Sequence, residues 1–185
     1  LEEQMRSAGL KVNEETFMKY GSKLKLFKGV GEWFLRIKEF GKKNNVDVEH
    51  YVISSGLADM IKGCSFAKDV NQIYACSYIY NDDRGIWPKM SVNYSNKVQF
   101  LFRINKGAFD VYDQVGVNQK ISATHEAYIP LENIFFFGDG ETDIPMYSVT
   151  NKSNGKSICV YEKKNEKSET IARKLLAESR VQYLV

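Results

Sequence analysis

Residues 134–143, IFFFGDGETD, restrict the fold more than any other part of the chain. Four apolar residues in succession suit a strand buried on both faces, as in a parallel sheet, and Gly138 ends the run at once. Asp139 and Asp143 follow in a tight loop, which places both acids at the carboxyl end of a strand. Open α/β sheets gather loops and helix N-termini at that edge, and ligands bind there. Two carboxylates four residues apart offer hard oxygen ligands suited to Mg²⁺, which keeps several waters and shares its remaining positions with a phosphate. The plainer reading of the same residues is a polar turn in which the acids cap a helix beginning near Ile144, with Pro145 in its first turn. The D-x-[DN]-x-[DN]-G pattern of a calcium loop is not met.

The rest of the chain alternates helical and extended patterns, which predicts an α/β fold. Residues 2–10 and 14–20 read as a helical hairpin, with Asn13 as an N-cap and Gly9 and Gly21 near the helix ends. Across residues 32–43, Trp33, Phe34, Ile37 and Phe40 recur on one helical face. Residues 48–54 predict a strand ending in Ser-Ser-Gly, and residues 57–63 a helix after it. Residues 72–80 and 85–92 flank the turn sequence NDDRG and predict a hairpin or flap. Residues 96–106 resume a helical pattern through Phe100, Leu101 and Ile104, and the polar stretch from Gly107 to about Tyr128 reads as a long, disordered loop. Residues 157–161 predict a last strand. Residues 168–179 predict a last helix, capped by Ser168 with Ile171, Leu175 and Leu176 inward.

Two further features bear on chemistry. The run YVISSG delivers Ser54, Ser55 and Gly56 to the end of a strand, where a hydroxyl and successive backbone N–H groups can cradle a phosphate; a serine helix cap is the alternative. Between the two motif-bearing strands lies a segment with Lys97 near a helix start and Lys106 near its end. Phosphoryl transfer needs a cation near the developing charge, and a helix start is the end that points to the ligand edge of the sheet, which favours Lys97.

In this order, Ser54 in VISSG, Lys97, and Asp139 with Asp143 in GDGETD resemble the second, third and fourth motifs of haloacid dehalogenase (HAD) superfamily hydrolases. The resemblance runs over most of the chain. It implies a three-layer, Rossmann-like parallel sheet spanning residues 29–185, a partial helical cap at residues 1–28, and a hairpin or flap insertion. It assigns phosphoryl binding to Ser54 with Ser55 and Gly56, charge stabilisation to Lys97, and Mg²⁺ binding to Asp139 and Asp143. The family's first motif, DxDx[TV], supplies the nucleophilic aspartate and has no counterpart here. Residues 110–113 have the wrong spacing. The expected function is thus a Mg²⁺-dependent phosphomonoester hydrolase acting through an aspartyl-phosphate, inactive without a nucleophile segment that these 185 residues lack. The opening at Leu1 fits an expectation that the sequence is a truncated form of a longer enzyme. The alternative is a non-catalytic domain of the same kind that binds a phosphorylated ligand or a protein partner.

The resemblance implies a small phosphorylated substrate as the partner, and composition bears on the other classes. A net charge of +3 and a pI near 8.6, without a concentrated basic stripe, argue against nucleic acid. No apolar run approaches the ~20 residues that cross a bilayer, which argues against a membrane span. Cys64, Cys76 and Cys159 are odd in number and form no CxxC pair, so neither a disulfide framework nor a zinc site is expected and the cytoplasm is the default location. His50 and His125 lie away from the motifs and are read as non-catalytic.

Overall fold

The computed structural model describes residues 2–9, 11–81 and 84–185; Leu10 and the tip of the NDDRG turn, Asp82 and Asp83, lie outside the described residues. The chain divides into two compact units, Leu1–Asn93 and Tyr94–Val185. Each is mixed α/β around an open three-stranded sheet.

The first unit contains helices α1 (Glu2–Ser7), α2 (Glu14–Gly21) and α3 (Val30–Lys43), strand β1 (Tyr51–Leu57), helix α4 (Ala58–Lys62), and strands β2 (Gln72–Asn81) and β3 (Arg84–Met90). Its sheet runs β1-β2-β3, with β1 parallel and β3 antiparallel to β2, so the predicted hairpin is present. Asn13 caps α2 by accepting from the Thr16 N–H at 2.9 Å. The N-terminal segment packs within its own unit, with Met5, Val12 and Phe17 buried against Leu57, Met60, Tyr78 and Tyr80. Gly21 is more than a helix terminator. A Cβ there would come 1.8 Å from the Met60 carbonyl oxygen, and one on Gly63 would come 2.0 Å from that of Met18, so α2 and α4 meet backbone to backbone.

Helix α3 is held by aromatic rings: Trp33 and Phe34 meet His50 edge-on at 5.3 and 5.0 Å, and Phe34 stacks on Phe66 at 5.0 Å. Phe40, expected on the same apolar face, is instead 66% exposed. At seven residues beyond Trp33 it has drifted out of the stripe, and Gly41 takes the buried position against Val48. His50 is buried with no hydrogen-bond partner on either ring nitrogen among the described residues.

The second unit contains helices α5 (Val98–Lys106) and α6 (Gln114–Asn118), strand β4 (Phe135–Gly138), helix α7 (Ile144–Lys152), strand β5 (Lys156–Cys159), helix α8 (Glu166–Ala177) and strand β6 (Tyr183–Leu184). The sheet runs β4-β5-β6 and is parallel throughout. Its core joins Tyr147, Cys159, Ala172, Leu175 and Val181, with Phe136 and Ile171 packed on it. The IFFF run is not buried on both faces as its composition predicts. Phe135 and Phe137 are 63% and 42% exposed while Phe136 faces the core, because β4 is the outer strand of its sheet and one face carries the helices. Leu176 is exposed as well, and Asn165, not Ser168, caps α8 by accepting from the Ser168 N–H at 3.2 Å.

The polar stretch after Gly107 is anchored. The buried guanidinium of Arg103 donates to the carbonyls of Ala108, Asp110, Val111 and Asp113 at 2.7–3.3 Å. Asn105 donates to Ile129 O at 2.8 Å, and Lys106 to Val117 O at 2.7 Å. Asp113 caps α6, a second brace on the same loop.

Burial, followed by the nearby Lys38 charge, lowers the His50 pKa below 6.5, outweighing the favourable influence of Asp69. A depressed histidine leaves the unfolded chain binding more protons once pH falls below the unfolded value, so its contribution to stability is present above about pH 6.5 and lost on acidification through the folded pKa. The difference in melting temperature between pH 7.5 and pH 5.5 should therefore be smaller in His50→Leu than in the wild type, as read by thermal denaturation at both values.

Candidate functional site

The site in the second unit starts where β4 ends. Gly138 closes the strand, Gly140 is extended, and a single 3-10 turn, Glu141–Asp143, leads into α7. Asp143 occupies the N-cap position of α7, yet its side chain makes no capping bond. One carboxylate oxygen, Oδ1, instead accepts from Lys97 Nζ at 2.7 Å, and Oδ2 accepts from the Asp139 N–H at 3.2 Å. The capping reading of these acids therefore fails at Asp143.

Lys97 stands immediately before α5 in helical conformation and is only 8% exposed. Its ammonium reaches the acid loop because α5 packs on its Phe100, Leu101 and Ile104 face, which leaves the first turn next to α7. Lys106, at the other end of the same helix, is committed to Val117 O. The pair of Lys97 with Asp143 is almost wholly out of water. Such a pair forms at the cost of desolvating both ions, and that cost is offset only when geometry is good and the spare oxygen is also bonded, as it is here.

Asp139 differs from Asp143 in being exposed, and its carboxylate makes no hydrogen bond among the described residues. The two acids thus divide into one held and one open to solvent. No group of three or more His, Cys, Asp or Glu side chains that could hold a metal occurs among the described residues. The donor set of the loop fits a hard divalent cation that takes one or two carboxylates and draws the rest of its shell from water and an anion.

Gly138 is required by packing. A Cβ at that position would stand 2.5 Å from the Tyr147 hydroxyl and 2.6 Å from Asp143 Oδ2, so only glycine lets the acid and the tyrosine fold back under the strand end. Gly140 has no such neighbour. Tyr147 was not predicted by the sequence as a site residue. Its signal is positional: it lies one helical turn beyond Asp143, on the same face. Burial is the main cause that drives its hydroxyl pKa far above the ordinary tyrosine value, with the Cys159 thiol and the carboxylates of Asp143 and Asp139 adding to it. Burial likewise raises the thiol of Cys159.

Ser54, Ser55 and Gly56 belong to the first unit and lie within β1, which runs on to Leu57 instead of ending at Ser54, at the point where the parallel pairing with β2 shifts register. Neither serine caps α4, whose N-cap is Leu57 with no side-chain bond. Ser54 Oγ accepts from the Gly56 N–H at 3.0 Å, and Ser55 and Gly56 are exposed. This small irregular turn presents the Ser54 hydroxyl instead of using it to start a helix. The look-alike acids at 110 and 113 have structural partners: Asp110 accepts from the Tyr112 N–H and Asp113 from the Gly116 N–H.

No family model matches the sequence, and no solved structure matches it. An uncharacterized protein of Borreliella burgdorferi is similar, at 30% identity over 182 residues covering 87% of this chain and 60% of that protein. The chain spans about 60% of the length of that relative.

Removing one partner of a buried ion pair strands the other charge, typically at about 3–5 kcal/mol. Lys97→Met should lower unfolding free energy by that order in urea denaturation. The double change Lys97→Met with Asp143→Asn should recover part of the loss, since no charge is then left unpaired.

Proposed function

We propose that this chain is the greater part of a Mg²⁺-dependent phosphomonoester hydrolase of the HAD superfamily. The observation that carries the reading is the buried pair of Lys97 with Asp143 at 2.7 Å, which joins the residues of two expected motifs 46 positions apart. A lysine so placed is held at the carboxyl end of a parallel strand, where it can face negative charge on a phosphoryl group. The turn at Ser54 supports the same reading, because the serine hydroxyl caps no helix and keeps its own proton to donate while its oxygen accepts from the Gly56 N–H.

In this mechanism Asp139 and Asp143 would hold the cation, and Mg²⁺ when bound would supply a Lewis acid that offsets phosphate charge. The resemblance gives phosphoryl binding to Ser54 with Ser55 and Gly56, and the Ser54 hydroxyl would be the donor to a phosphoryl oxygen. Lys97 keeps Asp143 oriented and contributes positive charge as the phosphoryl group is transferred. The attacking aspartate, which would form the aspartyl-phosphate, comes from a DxDx[TV] segment that is not among these 185 residues. That absence also motivates the second reading, a domain that binds a phosphorylated ligand without cleaving it.

Titration of the 185-residue chain with Mg²⁺, followed by backbone amide NMR, should show saturable shifts centred on residues 138–143. Asp139→Asn should weaken binding at least about tenfold, or about 1.4 kcal/mol, while leaving the melting temperature nearly unchanged because Asp139 is exposed. No phosphate should be released from p-nitrophenyl phosphate by this chain. Absence of Mg²⁺ binding would overturn the site, and metal-dependent phosphate release would overturn the placement of the nucleophile outside it.

A further inference from the structure

Tyr147 is wholly buried, and its hydroxyl has no oxygen or nitrogen partner among the described residues, only the thiol of Cys159 beside it. Its ring packs edge-on against Phe136 at 5.4 Å, within the apolar cluster of Cys159, Ala172, Leu175 and Val181. A phenylalanine would fill that space without desolvating a hydroxyl, so the oxygen is costly to the structure as it stands. It is nonetheless aimed at the acid loop: the point where a Cβ on Gly138 would lie is 2.5 Å from the hydroxyl and 2.6 Å from Asp143 Oδ2. The other polar group bearing on it is the thiol of Cys159, a weak partner.

Asp143 makes two bonds, with Oδ1 on Lys97 and Oδ2 on the Asp139 N–H, the second long at 3.2 Å. Once Asp139 and Asp143 turn toward a shared cation, that backbone bond is the one exposed to disruption, and a ligating carboxylate needs a donor for its spare oxygen. We propose that Tyr147 is a positioning residue for Asp143, its hydroxyl donating to the carboxylate when a hard divalent cation occupies the loop. The inference rests on the cation reading given above. Gly138 is then the element that keeps the path between the hydroxyl and the carboxylate open.

Tyr147→Phe tests it by separating two quantities that a structural hydrogen bond would move together. Without metal, the variant should melt at the same temperature as the wild type or higher, since no bond is lost and a buried hydroxyl is removed. Its Mg²⁺ dissociation constant, read by the same NMR titration, should rise about tenfold, the lower end of what loss of a group supporting a metal ligand does. A lower metal-free melting temperature, with or without a change in affinity, would assign the hydroxyl a structural bond such as one to Cys159 and overturn the proposal. Unchanged melting with unchanged affinity would overturn it too. Failure of the wild type itself to bind Mg²⁺ would remove the cation reading and this inference together, and so is distinguishable from failure of the tyrosine's role alone.

Discussion

The ion pair of Lys97 with Asp143 constrains the second unit more than any other interaction in it. Two charges, each mostly withdrawn from water, must meet at one distance and in one orientation, and every element that carries them must be placed accordingly. Helix α5 has to begin beside α7, the loop after β4 has to turn within one 3-10 step, and Gly138 has to lack a side chain. Mispositioning any of these leaves a buried charge uncompensated. The apolar cluster around Tyr147 and Leu175 supplies the burial that makes the constraint severe.

Polar groups also organise parts of the chain that hydrophobic burial leaves loose. Arg103 has no carboxylate among its hydrogen-bond partners and donates through its two terminal nitrogens to four backbone carbonyls, with Nε left without a partner among the described residues, which converts a polar stretch with few apolar residues into a structured loop. In the first unit, Asp59 plays a related part on α4: it is buried and accepts from Tyr80 at 2.6 Å and from Lys62 at 2.8 Å, tying the helix to β2. His50 is the counter-example. It is surrounded by the rings of Trp33 and Phe34, without a bonded partner for its nitrogens, so its neutral form belongs to the core and its charged form does not.

Local signals in the sequence carried well where the physics is local. Asn13 before Glu14 and Glu15 caps α2, the spacing of Phe100, Leu101 and Ile104 marks the buried face of α5, and the strands flanking NDDRG pair as a hairpin. Gly138 ends its strand as its composition predicts, whereas the strand expected over residues 48–54 runs Tyr51–Leu57 and so holds Ser54 within it. Failures came where neighbours decide. Phe135 and Phe137 have the composition of a central strand but stand on an outer one, and composition does not report which strands are adjacent. Leu176 and Phe40 lie at the margins of their helical stripes, and whether a marginal position is covered depends on the partner surface. The residues after Gly107 look unstructured because their order is imposed by Arg103 from outside the stretch.

The sequence by itself determined the α/β character of the chain, the placement of Asp139 at a strand end, and the choice of residue types able to meet a phosphate or a hard cation, since all of these follow from local periodicity and side-chain chemistry. Only the tertiary structure decided that Lys97 rather than Lys106 meets Asp143, that Asp143 is held while Asp139 is open to solvent, and that Tyr147 points a buried hydroxyl at the same loop. Those outcomes depend on how α5 and α7 pack in three dimensions, where side chains 46 residues apart lose water together and so fix each other's positions.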